Sequence, residues 1–135
     1  MKVIKSKTSK RKIILSVVIT IIVVSGLGAG IWYVLPEKVT VYVSYPYQIN
    51  GTFKIVIDNQ VLANETNYSF NFLPPYTVGY EKSLQKGAHI ISVFDGTYNH
   101  TSHERFNLWK KLYITVSINE NGVRFIIQDK EPKFL

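Results

Sequence analysis

The sequence has no cysteine. That absence removes a disulfide framework, a thiolate metal site and a thiol nucleophile together. No G-x-S-x-G or comparable nucleophile turn occurs, so nothing announces a hydrolytic triad. A basic body is missing as well. The net charge is +7, yet six of the sixteen Lys and Arg lie in residues 1–12, and the rest of the chain holds ten basic groups against nine acids. A nucleic-acid surface needs cations clustered on the fold, so no nucleic-acid partner is expected. There is no internal repeat and no low-complexity tract. At 135 residues the chain is long enough for one small domain that holds together on an apolar core alone.

What is present begins with a membrane pattern. After the basic stretch "MKVIKSKTSKRK", residues 13–35 contain no charge. As a helix this segment is about 34 Å long, against a hydrocarbon core of ~30 Å. Ser16, Thr20 and Ser25 can return their hydroxyls to the helix backbone. Trp32 and Tyr33 sit where amphipathic rings favour the headgroup region, and Pro36 and Glu37 end the span. Positive residues flanking a first span stay inside, so residues 1–12 are expected as a cytoplasmic tail and residues 36–135 as an extracytoplasmic domain. A cleaved signal peptide with "GLGAG" at its cleavage region is the rival, but the apolar run continues to Leu35. Gly26 and Gly30 lie four apart, the small-xxx-small spacing that lets two membrane helices touch, which makes a homodimer through the span an expectation. Only residues 36–38 act as linker, so the outer domain is expected close to the membrane.

The outer domain reads as strands between turns. "KVTVYVSY" alternates, as do "TFKIVI", "YSFNFL" and "HIISVF". Asp58-Asn59 and the run Asn119 to Gly122 are hairpin cues, because Asn, Asp and Gly tolerate φ > 0. "LYITVSI" and "VRFIIQ" flank the second cue, "ERFNLW" is a short ambiguous strand, "SYPYQ" and "LPPYTVGY" read as loops, and "KEPKFL" as a loose tail. Seven or eight short strands at this spacing predict an all-β antiparallel sandwich or open barrel behind one transmembrane α-helix, and we take the sandwich.

The segments "FKIVIDNQVL" and "LQKGAHIISV" resemble a pattern of small extracytoplasmic β-domains: PEGA-type and related immunoglobulin- or transthyretin-like modules. The likeness covers Phe53 to Val93. It implies an accessory β-sandwich of a cell envelope, with no catalytic residue and no cofactor to carry over.

Candidate sites follow from residue type. Four Asn-x-Ser/Thr sequons, at Asn50, Asn64, Asn67 and Asn99, lie in or beside expected turns, where a glycan is tolerated. His100 and His103, with Glu104, have the side chains for a metal site, but on a strand spacing three puts them on opposite faces. His89 shares a strand face with Ile91 and Val93, which favours a hydrogen-bonded structural imidazole over a catalyst. The acids are scattered near turns, and no enzyme is expected. Tyr47 and Tyr76 in loops, with Trp109, are candidates for a protein or glycan contact. The expected function is a single-pass envelope interaction or structural module. An accessory subunit of a larger membrane complex is the alternative, and an envelope hydrolase the remote one.

Overall fold

The computed structural model describes residues 2–47, 49–70 and 76–134, with side chains from residue 9 onward. The chain forms two units, Met1–Leu35 and Pro36–Leu135.

The first unit is helix α1, Lys2–Val34, which therefore takes in the basic stretch as well as the apolar one. Its apolar part, Ser9–Val34, has a mean hydropathy of 2.5 and is long enough to cross a membrane. Thr20 Oγ1 donates to the Ser16 carbonyl at 2.9 Å, so that hydroxyl is satisfied within the helix. A Cβ added at Gly26 or Gly30 would meet nothing within 4 Å. The two glycines leave a smooth strip one turn apart along the helix.

Among its described residues the second unit contains eight strands: β1 Glu37–Ser44, β2 Asn50–Ile57, β3 Gln60–Ser69, β4 Thr77–Leu84, β5 Gly87–Asp95, β6 His100–Leu108, β7 Leu112–Asn119 and β8 Gly122–Gln128. They make two four-stranded sheets, ordered β4-β1-β7-β8 and β3-β2-β5-β6. Every pairing is antiparallel except β1 with β7, which is parallel from Val39↔Leu112 to Ser44↔Ser117. This order differs from an immunoglobulin constant-type sandwich, where the first two strands share a sheet. Here β1 and β2 lie in different sheets.

Alternation builds the core. Val39, Val41 and Val43 of β1, Ile55 of β2, Ile91 and Val93 of β5, and Ile114 and Val116 of β7 are wholly buried between the sheets. Fully burying each such side chain contributes about 1.5–3 kcal/mol. The expected Asp58-Asn59 hairpin is present. Both residues have positive φ, 49° and 66°, as a two-residue type I′ turn requires.

Three expectations change. "TVGYEKSL", passed over as loop, is β4: Val78, Tyr80 and Leu84 pack against the core. Its Gly79 lies beneath Tyr42, where a Cβ would come within 3.0 Å of the ring. "YSFNFL" is not a strand of its own: β3 continues from Gln60 to Ser69, and the part with Asn71 and Phe72 lies outside the described residues. Asn64 and Asn67 accordingly sit inside β3 rather than in a turn. The segment "KEPKF" is also seated. The Phe134 ring meets Tyr42 edge-on at 5.0 Å, and Tyr42 donates to Glu131 Oε1 at 3.4 Å.

Strand direction gives the sandwich two ends. The near end is where the chain enters at Glu37; it holds the turn at Asp58 and the loop Trp109–Lys111. The far end lies beyond Ser44 and holds Tyr45, Asn50, the end of β3 and the turn Gly96–Asn99.

Candidate functional site at the far end

The far end is organised by one buried carboxylate. Asp95 closes β5, and its side chain is wholly buried. Its Oδ1 accepts from the Thr97 N–H at 2.9 Å and its Oδ2 from the Tyr98 N–H at 3.2 Å. That is an Asx turn, which a short acid supplies by capping the two following amides. The His100 ring, on the first residue of β6, places Nδ1 at 3.6 Å from the same carboxylate. The turn lets Thr97 reach β2: Thr52 N–H donates to Thr97 Oγ1 at 2.9 Å.

Tyr45 closes this network from the other sheet. It is 2% exposed, and its hydroxyl lies 3.2 Å from Thr97 Oγ1 and 3.5 Å from Asp95 Oδ1. Burial pushes its phenol up to about 12, Thr97 opposes this, and Asp95 adds to it. The ring packs on Phe70 at 4.8 Å, and Phe70 on Tyr68 at 4.9 Å. Gly51 makes room for it, since a Cβ there would lie 2.7 Å from the ring. Outside this buried layer stand two more phenols. Tyr47, 48% exposed, and Tyr98 join hydroxyl to hydroxyl at 3.0 Å. That hydrogen bond, ahead of burial, pushes Tyr98 up to about 12. Tyr76 accepts the Tyr45 N–H on its carbonyl at 3.1 Å and rests its ring on the core.

Tyr47 and Tyr76 therefore come together at one end, with Tyr98 beside Tyr47. Trp109 stands apart, exposed at the opposite end in the loop between β6 and β7. All four sequon asparagines are exposed. Asn50 opens β2 opposite Ser69, Asn67 donates its N–H to Thr52 Oγ1 at 3.1 Å, and Asn99 ends the Asp95 turn. Three sequons thus ring the far end, while Asn64 lies further along β3 opposite Lys54. Asp95, Thr97 and Tyr98 were not singled out by the sequence as site residues. The run Asp-Gly-Thr-Tyr-Asn carries the signal, an acid placed to cap its own turn.

His89 is at the near end, 10% exposed by side chain and stacked on Phe106 at 5.4 Å between ring centres. One ring nitrogen, Nδ1, faces Asp58 Oδ2 and the other, Nε2, lies 2.6 Å from the Gln85 carbonyl. Asp58 Oδ1 also accepts the Ile90 N–H at 2.9 Å. A general base needs a ring nitrogen turned to its substrate. Both nitrogens of His89 are spent on the chain itself, tying the β2–β3 turn to β5. Burial acts to raise the Asp58 carboxyl, but the His89 and Ile90 hydrogen bonds outweigh it and hold it below the usual range. His100 and His103 diverge: His100 turns toward Asp95, whereas His103 Nδ1 meets Ser92 Oγ at 2.7 Å on the outer face. Among the described residues no three His, Asp or Glu come together as a metal-holding group.

No family model and no curated protein matches the chain. Solved structures align with the chain at low identity. A candidate cell adhesion protein from Bacteroides ovatus aligns at 10% identity, 70% of this chain and 44% of that one, with a TM-score of 0.45. A second, from Bacteroides uniformis, aligns at 12% identity over 69% and 49%, with a TM-score of 0.43. The T6SS lipoprotein TssJ1 from Pseudomonas aeruginosa aligns at 6% identity over 71% and 99%, with a TM-score of 0.42. The chain spans under half the length of the two adhesion proteins.

Proposed function

We propose that this chain is a single-pass, N-in membrane protein whose β-sandwich is an interaction module of the cell envelope. The far end is its contact surface. The observation that carries this is the tyrosine pair Tyr47–Tyr98 on a rigid base, the Asp95 turn and the buried Tyr45. Phenols suit such a role: they present wide amphipathic area and lose little rotamer freedom on binding. The reading is non-catalytic, and a protein or glycan partner is the expected chemistry. The exposed sequons at Asn50, Asn64, Asn67 and Asn99 are proposed glycan acceptors on the same domain.

The test is cross-linking in intact native membranes. A photo-reactive tyrosine analogue at position 47 is expected to capture a partner that the same analogue at Tyr113, on the outer face of a sheet, does not. Equal capture from both positions refutes the assignment of the far end. Protease added to intact cells that spares residues 36–135 refutes the topology. The accessory-subunit alternative draws on Gly26 and Gly30, whose open strip on α1 suits a second helix. Replacing the span with an unrelated apolar helix abolishes the capture only under that alternative.

A further inference from the structure

We infer that the far end carries a recognition site for a carboxylate-bearing sugar, built around Arg124 on the outer face of the sheet β4-β1-β7-β8. This deepens the contact-surface reading of the far end and rests on it.

The site follows from register. Ser44 pairs with Ser117 and Ser117 with Arg124, so the three stand in one row across β1, β7 and β8. Residues opposite one another on paired strands point to the same side, and neighbouring strands lie about 4.8 Å apart. The row faces outward, because Val43, Val116 and Phe125 hold the alternate places toward the core. It continues from Ser44 to Thr77 on β4, whose Oγ1 is buried with no hydrogen-bond partner among the described residues. Three hydroxyls and one guanidinium therefore cross the sheet in line.

Ser44, Ser117 and Arg124 line a hollow of about 300 Å³ together with Pro46, Asn119 and Ile126. That is the small end of the range of ligand clefts, fit for a single ring. Its chemistry is one-sided. Among the described residues the Arg124 guanidinium has no ion pair, and neither it nor the two serine hydroxyls has a hydrogen-bond partner in the chain. Asn119 spends Oδ1 on the Asn121 N–H at 2.8 Å, which leaves its NH2 to donate. Among the described residues no Asp or Glu lines the hollow. Arg105, the other arginine of the sandwich, lines a hollow that includes the Asp58 carboxylate.

A guanidinium is a planar fork of donors matched to a carboxylate. The hydroxyls and the amide suit the hydroxyls of a sugar. Pro46 and the half-exposed Ile126 offer apolar walls to the C–H face of its ring. An acidic protein side chain would use the fork alone, whereas a uronate ring uses the fork, the hydroxyls and the walls. Pro46 directly precedes Tyr47, so the hollow adjoins the tyrosine pair.

The experiment uses the full chain in detergent micelles, from a host that does not N-glycosylate. Saturation-transfer NMR titrations compare methyl glucuronide, methyl glucoside and N-acetylglutamate amide, with inorganic phosphate as competitor. The glucuronide is expected to bind at least about tenfold more tightly than the glucoside. Arg124→Gln should abolish that preference, and Arg124→Lys, which keeps the charge and loses the fork, should restore only part of it. Ser117→Ala should weaken the glucuronide about two- to tenfold. Arg105→Gln should change nothing. Arg124 and Arg105 are both exposed, so folding is not at stake. Equal binding of glucuronide and glucoside, or equal effects of Arg124→Gln and Arg105→Gln, overturns the inference. N-acetylglutamate amide bound as tightly as the glucuronide points to an acidic protein partner and overturns the sugar. Phosphate that displaces the glucuronide at equal concentration marks an anion site without sugar recognition and overturns it too. The cross-linking from position 47 separates the two failures. Capture there without a glucuronide preference overturns this inference alone, whereas equal capture from positions 47 and 113 overturns the contact-surface reading and this one with it.

Discussion

Asp95 offers the sharpest test of the far end. Its carboxylate accepts two backbone amides, of Thr97 and Tyr98, and lies within reach of the Tyr45 hydroxyl. Asp95→Asn keeps one acceptor oxygen but turns an NH2 toward an amide that needs an acceptor. One buried donor left unmet costs about 1–3 kcal/mol, and the opposed donors add to it, so a loss of about 2–3 kcal/mol is expected. Asp95→Ala removes both acceptors and adds a cavity, for a loss of about 3–5 kcal/mol. A domain of this size loses about 4–8 °C in Tm per kcal/mol, which puts Asp95→Asn about 10–20 °C below the wild type. The assay is thermal unfolding of the full chain in detergent, followed by the far-UV strand signal. Asp95→Asn completes an Asn-Gly-Thr sequon with Thr97, so all proteins come from a host that does not N-glycosylate. Tyr45→Phe supplies the second arm of a double-mutant cycle. Two members of one network should couple by about 0.5–3 kcal/mol. The exposed Glu104→Gln serves as control, within about 0.5 kcal/mol of wild type. If Asp95→Asn and Asp95→Ala both melt with the wild type, or Asp95 and Tyr45 add without coupling, the Asp95 turn does not organise this end.

Three further outcomes are expected. Gly51→Ala preserves the Asn50 sequon yet drives a methyl into the Tyr45 ring, so urea unfolding should show a loss of about 1–3 kcal/mol; an unchanged midpoint contradicts the close packing. Tyr45 has a folded-state pKa of about 12 against an ordinary 10.0, so its contribution is complete below the unfolded value and is lost as pH rises from 10 to 12. The loss should reach about 2–3 kcal/mol and vanish in Tyr45→Phe; parallel stability curves for the two proteins refute it. Asp58 is held below its ordinary value, so its contribution is present above the unfolded carboxylate range and fades as pH falls through and below it. His89→Gln should reduce that acid-side slope and cost about 1–2 kcal/mol in chemical unfolding at neutral pH, and a slope identical to wild type would sink the strut role of His89.

The parts of the fold that were legible share one property, a strong period of two with both faces spelled out. Val39, Val41 and Val43 against Thr40 and Tyr42 announce β1, and "LYITVSI" announces β7, because each has one wholly buried face. β4 was missed because edge strands need less burial: its inward side chains are only partly covered, and Gly79, Glu81 and Lys82 interrupt the apolar rhythm. Asn67 misled in the other direction. It takes a left-handed φ of 53° inside β3, a backbone state that normally signals a turn. His89 shares the side of Ile91 and Val93, as its place in the alternation implies, and is partly buried there. The tyrosine end could not be read this way. Tyr45 lies 50 residues from Asp95, and the packing of one sheet on the other brings the two together. Periodicity tells which face a residue takes but not which strand lies beside it.

The parallel pairing of β1 with β7 bears on how the molecule is assembled. The sheet β3-β2-β5-β6 draws on residues 50–108, interrupted by β4, which crosses to the other sheet. The other sheet cannot close until Leu112–Asn119 arrives to join Glu37–Ser44, across most of the domain. Such a contact closes a long loop and forms late. While the chain emerges, β1 waits with an open edge, and Asn50, Asn64, Asn67 and Asn99 all pass before the sandwich can shut. The order of synthesis thus leaves the sequons a period in an unfinished fold, and it makes β1 the strand in greatest need of shelter until β7 is delivered.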